Sequence, residues 1–201
     1  MVQRSTIGQW RGVTLEVAAW DGVGADVDVS VACMFTREAG SEGPRGGLAH
    51  LDQVLDGRLT AMRRQGSFGA AAMELLLVDA LPPQVQARSV LVVGAGDPAL
   101  WSPQLMAQVV GHAAGWVIDH GDQSAAVAPS MLDSGLDPAA LGNVSELMLQ
   151  AVLDVLDAKA TAAPGQLKLR NWVFDVGEDR FDSAVAGYRG NFMKLRPQAA
   201  P

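Results

Sequence analysis

Apolar and polar residues alternate loosely in WRGVTLEVAA (10–19) and again in VDVSVACMF (27–35), with Asp-Gly and Gly-Ala steps between them, which predicts two strands. After the glycine- and charge-rich stretch TREAGSEGPRGG, Leu48, Leu51, Leu55, Leu59 and Met62 recur at steps of three and four. That spacing predicts one amphipathic helix with His50, Asp52, Asp56, Arg58 and Arg63 off its apolar stripe, ended by GSFGAAA. MELLLVDAL (73–81) and RSVLVVGAG (88–96) are almost continuous apolar runs, as expected of adjacent strands buried on both faces. Ser102 and Pro103 have the chemistry of a cap and first helical residue, and Leu105, Val109, Ala113 and Val117 mark one helix face as far as Gly121. SAAVAPS (124–130) reads as a short buried strand. Asn143 with Glu146 reads as a capping box opening a helix through Leu147, Ala151, Val155 and Ala158. KLRNWVFDV (168–176) is the sixth strand, and Phe181, Val185, Tyr188 and Phe192 predict a final helix weakened by Gly187 and Gly190.

The predicted order is β-β-α-β-β-α-β-α-β-α, with no internal repeat and no linker long enough to divide it. Strands without alternation need cover on both faces, so the expectation is one α/β domain over residues 1–201, a mixed central sheet between helices, with a loose tail at about 196–201.

Composition narrows the function. Of 201 residues, 49% are apolar, enough for a proper core. The 15 Lys and Arg against 22 Asp and Glu leave a net charge of −7, which argues against a broad grip on nucleic acid or an anionic membrane. The single cysteine, Cys33, lies in an apolar run and reads as a buried small hydrophobe in a reducing compartment. No secretory h-region or membrane-length apolar run is present, and the expected location is cytoplasmic.

Candidate chemistry concentrates in SVLVVGAGDPALW (89–101), where a strand runs into a glycine-rich loop and then a helix. Free N–H groups at such a junction bind anions, which makes Gly94, Ala95, Gly96, Asp97 and Trp101 the candidate ligand-binding residues. The simpler reading of the loop is a structural turn. A dinucleotide fingerprint would need glycine where Ala99 stands, and the acid at the right distance, Asp119, falls on a helix. His50, His112 and His120 are scattered, and no metal-ligand spacing, nucleophile elbow or phosphate loop occurs, so no catalytic residue, metal or cofactor is assigned. Arg58, Arg63 and Arg64 read as a solvated helix end. Of Trp10, Trp20, Trp101, Trp116 and Trp172, only Trp101 is placed to flank a planar ligand.

VDVSVACMF, LAHLDQVLDGRLTAMRRQGSF, the break GSFGAAA, the pair MELLLVDAL and RSVLVVGAG, and LMAQVVGHAAGWV together resemble the N-terminal domain of the leucyl aminopeptidase family over about residues 10–160. The resemblance implies a three-layer α/β/α, macro-domain-like fold. In that family the two-metal site and the NTDAEGR stretch belong to a C-terminal domain. NTDAEGR does not occur in this chain, and no family catalytic residue carries over. Asp175, Glu178, Asp179 and Asp182 have no partner lysine in a comparable context and read as acids favouring a helix N-terminus. The macro fold further implies ADP-ribose, bound by glycine-rich loops at strand ends, although Asn143, Asn171 and Asn191 are isolated where an NAAN-like run would be expected. The leading expectation is a non-catalytic, stand-alone relative that works by protein association, as a homo-oligomer or on another subunit. The alternative is a module for a small anionic ligand such as a nucleotide, seated at the 94–101 loop.

Overall fold

Every residue of two paired strands, β3 (Val29–Phe35) and β5 (Ser89–Gly96), is buried, as near-continuous apolar runs require when both faces of a sheet are covered. In this computed structural model, which describes residues 3–39, 43–129, 131 and 141–196, they belong to a seven-stranded mixed sheet. The other strands are β1 (Arg4–Trp10), β2 (Val13–Ala18), β4 (Leu75–Val78), β6 (Ser124–Ala128) and β7 (Asn171–Asp175), in the order β1-β2-β7-β6-β3-β5-β4. The inner five run parallel, and the two edge strands are antiparallel to their neighbours.

Alternation sorts the buried side chains to two faces. Val31, Cys33, Phe35, Leu91 and Val93 pack with residues of α3 (Pro103–His120), α4 (Val144–Ala162) and α5 (Phe181–Leu195). Ala32, Met34, Val90 and Val92 pack with Leu48, Leu51, Leu55 and Leu59 of the segment holding α1 (Gly46–Val54) and α2 (Arg58–Arg64). The result is three layers, α/β/α, around one sheet. Cys33 is a buried hydrophobe as expected, its thiol pushed up to about 12 by burial and then by the nearby Glu38 charge.

The structure differs from the sequence pattern in five places. The polar stretch RSTIGQW forms β1, with only Ile7 of its side chains buried, and the two-residue turn Arg11–Gly12 joins it to β2. The two early strands are not neighbours, because β7 and β6 lie between β2 and β3. MELLLVDAL supplies only a four-residue edge strand that is half-buried, since β4 has β5 on one side alone. The 48–62 helix is two helices, broken where Asp56 and Gly57 adopt positive φ. Arg58 therefore opens α2, and its guanidinium donates to the carbonyls of Asp79 and Ala80 at 3.0 and 3.3 Å instead of extending a solvated helix end. Finally, Asn143 does not cap α4 with its side chain: its backbone (φ −96°, ψ 25°) is not extended as a capping residue's is, and Glu146 faces Lys194 at 3.8 Å. Ser102, by contrast, is extended and accepts from the Leu105 N–H at 3.1 Å. Of the expected loose tail, residues 197–201 lie outside the described residues, as does residue 130 at the end of SAAVAPS.

Candidate functional site

Five parallel strands end on the same side of the sheet, and β3 is the point from which the chain moves one way to β5 and the other way to β6. Such a switch point leaves a crevice at the carboxyl ends of the strands. A cleft of about 630 Å³ lies there, lined by the turn after β2, by β3, by the ends of β6 and β7, and by parts of α1, α4 and α5.

Asp175, the last residue of β7, forms part of the cleft wall and is only 6% exposed. Its carboxylate accepts from the N–H groups of Trp20 at 3.0 Å, Gly22 at 3.1 Å and Gly177 at 3.4 Å, tying the turn after β2 to the turn after β7. Burial raises its pKa to about 6; the backbone hydrogen bonds oppose that rise, and the Asp21 charge adds to it. The Ser30 hydroxyl donates to the Gly22 carbonyl at 3.0 Å from the floor. Asp21 is half-exposed in the cleft: one carboxylate oxygen accepts from Val23 and Gly24 N–H at 3.1 and 2.9 Å, and the other meets the His50 Nδ1 at 3.0 Å. Glu178, Asp179 and Arg180 of a single 3-10 turn also line the cleft, with Ser183, Ala184, Gly187 and Tyr188 of α5 following in the chain. Gly142, Val144 and Ser145 bring the start of α4, whose N–H groups point outward along the helix axis, into the lining. The arrangement offers carboxylates as hydrogen-bond acceptors and, for an anion, backbone donors and Arg180.

Glu178, Asp179 and Asp182 stand in first turns, as their pattern predicts. Asp175 does not; it clamps two loops. Gly94, Ala95, Gly96, Asp97 and Trp101 are contiguous in space but none lines the cleft. The Gly94 and Gly96 N–H groups donate to the Glu74 and Ala70 carbonyls at 2.8 and 3.0 Å. A Cβ on Gly94 would stand 1.9 Å from the Ala71 carbonyl oxygen, so that glycine admits the crossing of the 70–72 segment. Asp97 accepts from Ala99 N–H at 2.8 Å, and Trp101 is half-buried with no partner for its indole N–H among the described residues. The cleft residues carried a signal of the same kind: AAWDGVG and VFDVGED repeat the strand-then-glycine-and-acid pattern of VLVVGAGD. Among the described residues, no group of three or more His, Cys, Asp or Glu side chains is placed to hold a metal ion, and no helix is long and apolar enough to cross a membrane.

The fold is a three-layer α/β/α, macrodomain-like one, and solved structures agree. The Oceanobacillus iheyensis macrodomain with MES bound matches at a TM-score of 0.67 and 14% identity, over 97% of this chain and 98% of that one. The Trypanosoma brucei macrodomain in complex with ADP-ribose matches at 0.64 and 15% identity, over 94% and 74%. A tomato leucine aminopeptidase variant matches at 0.68 and 14% identity, over 89% of this chain but 36% of the enzyme, so the chain spans about a third of that protein. No curated protein matches the sequence. The family model for the cytosol aminopeptidase family, N-terminal domain, matches residues 31–155, more than half of the chain. The chain belongs to that family, through its N-terminal domain.

Proposed function

We propose that this chain is a non-catalytic binding module whose cleft takes a nucleotide-type ligand, with ADP-ribose as the model compound. The observation that carries the reading is the 630 Å³ cleft at the carboxyl ends of the parallel strands, with an acceptor carboxylate, Asp21, in its wall. An acid in that position accepts from an adenine amino group or a ribose hydroxyl, while the N–H groups at the start of α4 and the Arg180 guanidinium supply donors that phosphates need. Macrodomains of the same fold are solved with ADP and with ADP-ribose, which supports the choice of ligand. The 94–101 loop acts as a strand-to-helix turn in this reading.

Isothermal titration of ADP-ribose is the test. Asp21→Asn keeps an oxygen for the Val23 and Gly24 N–H groups but loses the charge, and is expected to weaken binding by about tenfold. Heat-free titrations at millimolar ADP-ribose with the unsubstituted protein would reject the reading. A second role, association with another protein or a second copy, would draw on exposed apolar side chains such as Leu100 and Met193, which are 75% and 67% exposed on different elements.

A further inference from the structure

Gly187 reduces the stability of α5 without a structural return, and Tyr188 stands beside it in the chain. Gly187 stands in the interior of a fifteen-residue helix, where glycine is among the least favourable residues. Among the described residues, nothing beyond its chain neighbours and its own helix backbone lies within 4 Å of where its Cβ would be, so no packing seen there requires it. Tyr188 is 4% exposed and stacks on Phe174 with ring centroids 4.4 Å apart. Among the described residues its hydroxyl has no protein partner, yet it is not one of the fully buried polar atoms left without one, so it opens onto the cleft that Tyr188 lines. Both residues line the cleft described above, and the hydrogen bond from Asn191 to Ser145 at 3.2 Å holds this part of α5 against the start of α4.

We propose that Tyr188 and Gly187 form the recognition wall for the ligand, the Tyr188 hydroxyl donating to a neutral acceptor on it, a ring nitrogen or carbonyl oxygen, and Gly187 leaving room for the ring. The proposal rests on the binding-module reading above and names the ligand feature that this chain selects. Burial alone pushes the phenol above its ordinary range, so it stays a proton donor through neutral pH. Gly190, on the same helix, also has open space where a Cβ would go, but it lies outside the cleft and serves as the control.

The experiment pairs ADP-ribose titration with ligand-free thermal unfolding for the unsubstituted chain, Tyr188→Phe, Gly187→Ala and Gly190→Ala. Tyr188→Phe is expected to unfold at the same temperature or higher and to bind about tenfold more weakly. Both alanine variants are expected to unfold at higher temperature, with only Gly187→Ala weakening binding, by about fivefold or more. If the unsubstituted chain binds ADP-ribose and these two cleft variants bind it equally well, the recognition wall is wrong and the binding module stands. If the unsubstituted chain does not bind, both fall.

Discussion

Asp175 shows how one buried carboxylate is both a clamp and a cost. Its ordinary pKa of 3.8 rises to about 6 in the fold, so the folded protein holds the proton more tightly than the unfolded chain does. The sign follows by linkage: the penalty on the charged form is fully present above about pH 6 and is relieved as the pH falls toward 4. Its size is on the order of 3 kcal/mol. Comparing the unsubstituted protein with Asp175→Asn by denaturant unfolding, the difference in stability should shift in favour of the aspartate between pH 7 and pH 4.5. A difference that stays flat across that window would show that the carboxylate titrates elsewhere. Gly94 makes the complementary point, since its value lies in what is missing: the chain crosses where a Cβ would be.

At the scale of elements, the break between α1 and α2 depends on a residue on the far side of the turn. Asp52 is 7% exposed and its carboxylate accepts from the Leu59 N–H at 2.8 Å, the Thr60 N–H at 3.2 Å and the Thr60 hydroxyl. It thereby satisfies the first turn of α2, whose own N-cap, Gly57, has no side chain to offer. Asp52→Ala leaves those donors buried or half-buried without an acceptor, and a loss of about 2 kcal/mol in unfolding free energy is expected. A chemical-denaturation midpoint unchanged by the substitution would show that water replaces the carboxylate. On the opposite face, α3 and α4 need no such device, because Gly111 lets Ala151 approach to 3.3 Å of a would-be Cβ and the two long helices pack closely.

For the whole molecule, charge and surface decide what it meets. A net charge of −7 opposes non-specific attachment to DNA at physiological salt, where the screening length is about 8 Å. Among the described residues, the two exposed large apolar side chains lie on different elements, Leu100 just before α3 and Met193 near the end of α5. If Leu100 is the anchor of an association surface, sedimentation velocity across a hundredfold concentration range should show a mass that rises with concentration. Leu100→Ser should return it to the monomer. A constant monomer mass in the unsubstituted protein would remove self-association and leave docking on a different protein as the association role.

The alternation and the apolar runs determined the α/β class, five of the six predicted strands nearly at their observed places, the two long helices, and the buried state of Cys33, because these depend on local periodicity and on whether one or both faces need cover. The resemblance in phrases over about 10–160 was enough to indicate the family, which the match over 31–155 shows. What tertiary structure decided is everything that depends on partners distant in the chain. A polar strand such as β1 exists because β2 offers it an edge and α5 covers it, with Phe192 so close that a Cβ on Gly8 would stand 2.3 Å from the ring. The order of strands, which sets β7 between β2 and β6, brings Trp20–Gly22 against Asp175 across more than 150 residues of sequence. Three strand-to-glycine junctions look alike as text. In the structure the 70–74 segment occupies the N–H groups of one, and the Asp175 carboxylate joins the other two into a cleft wall, so the candidate site was legible as a kind of junction and only the fold selected which junctions line it.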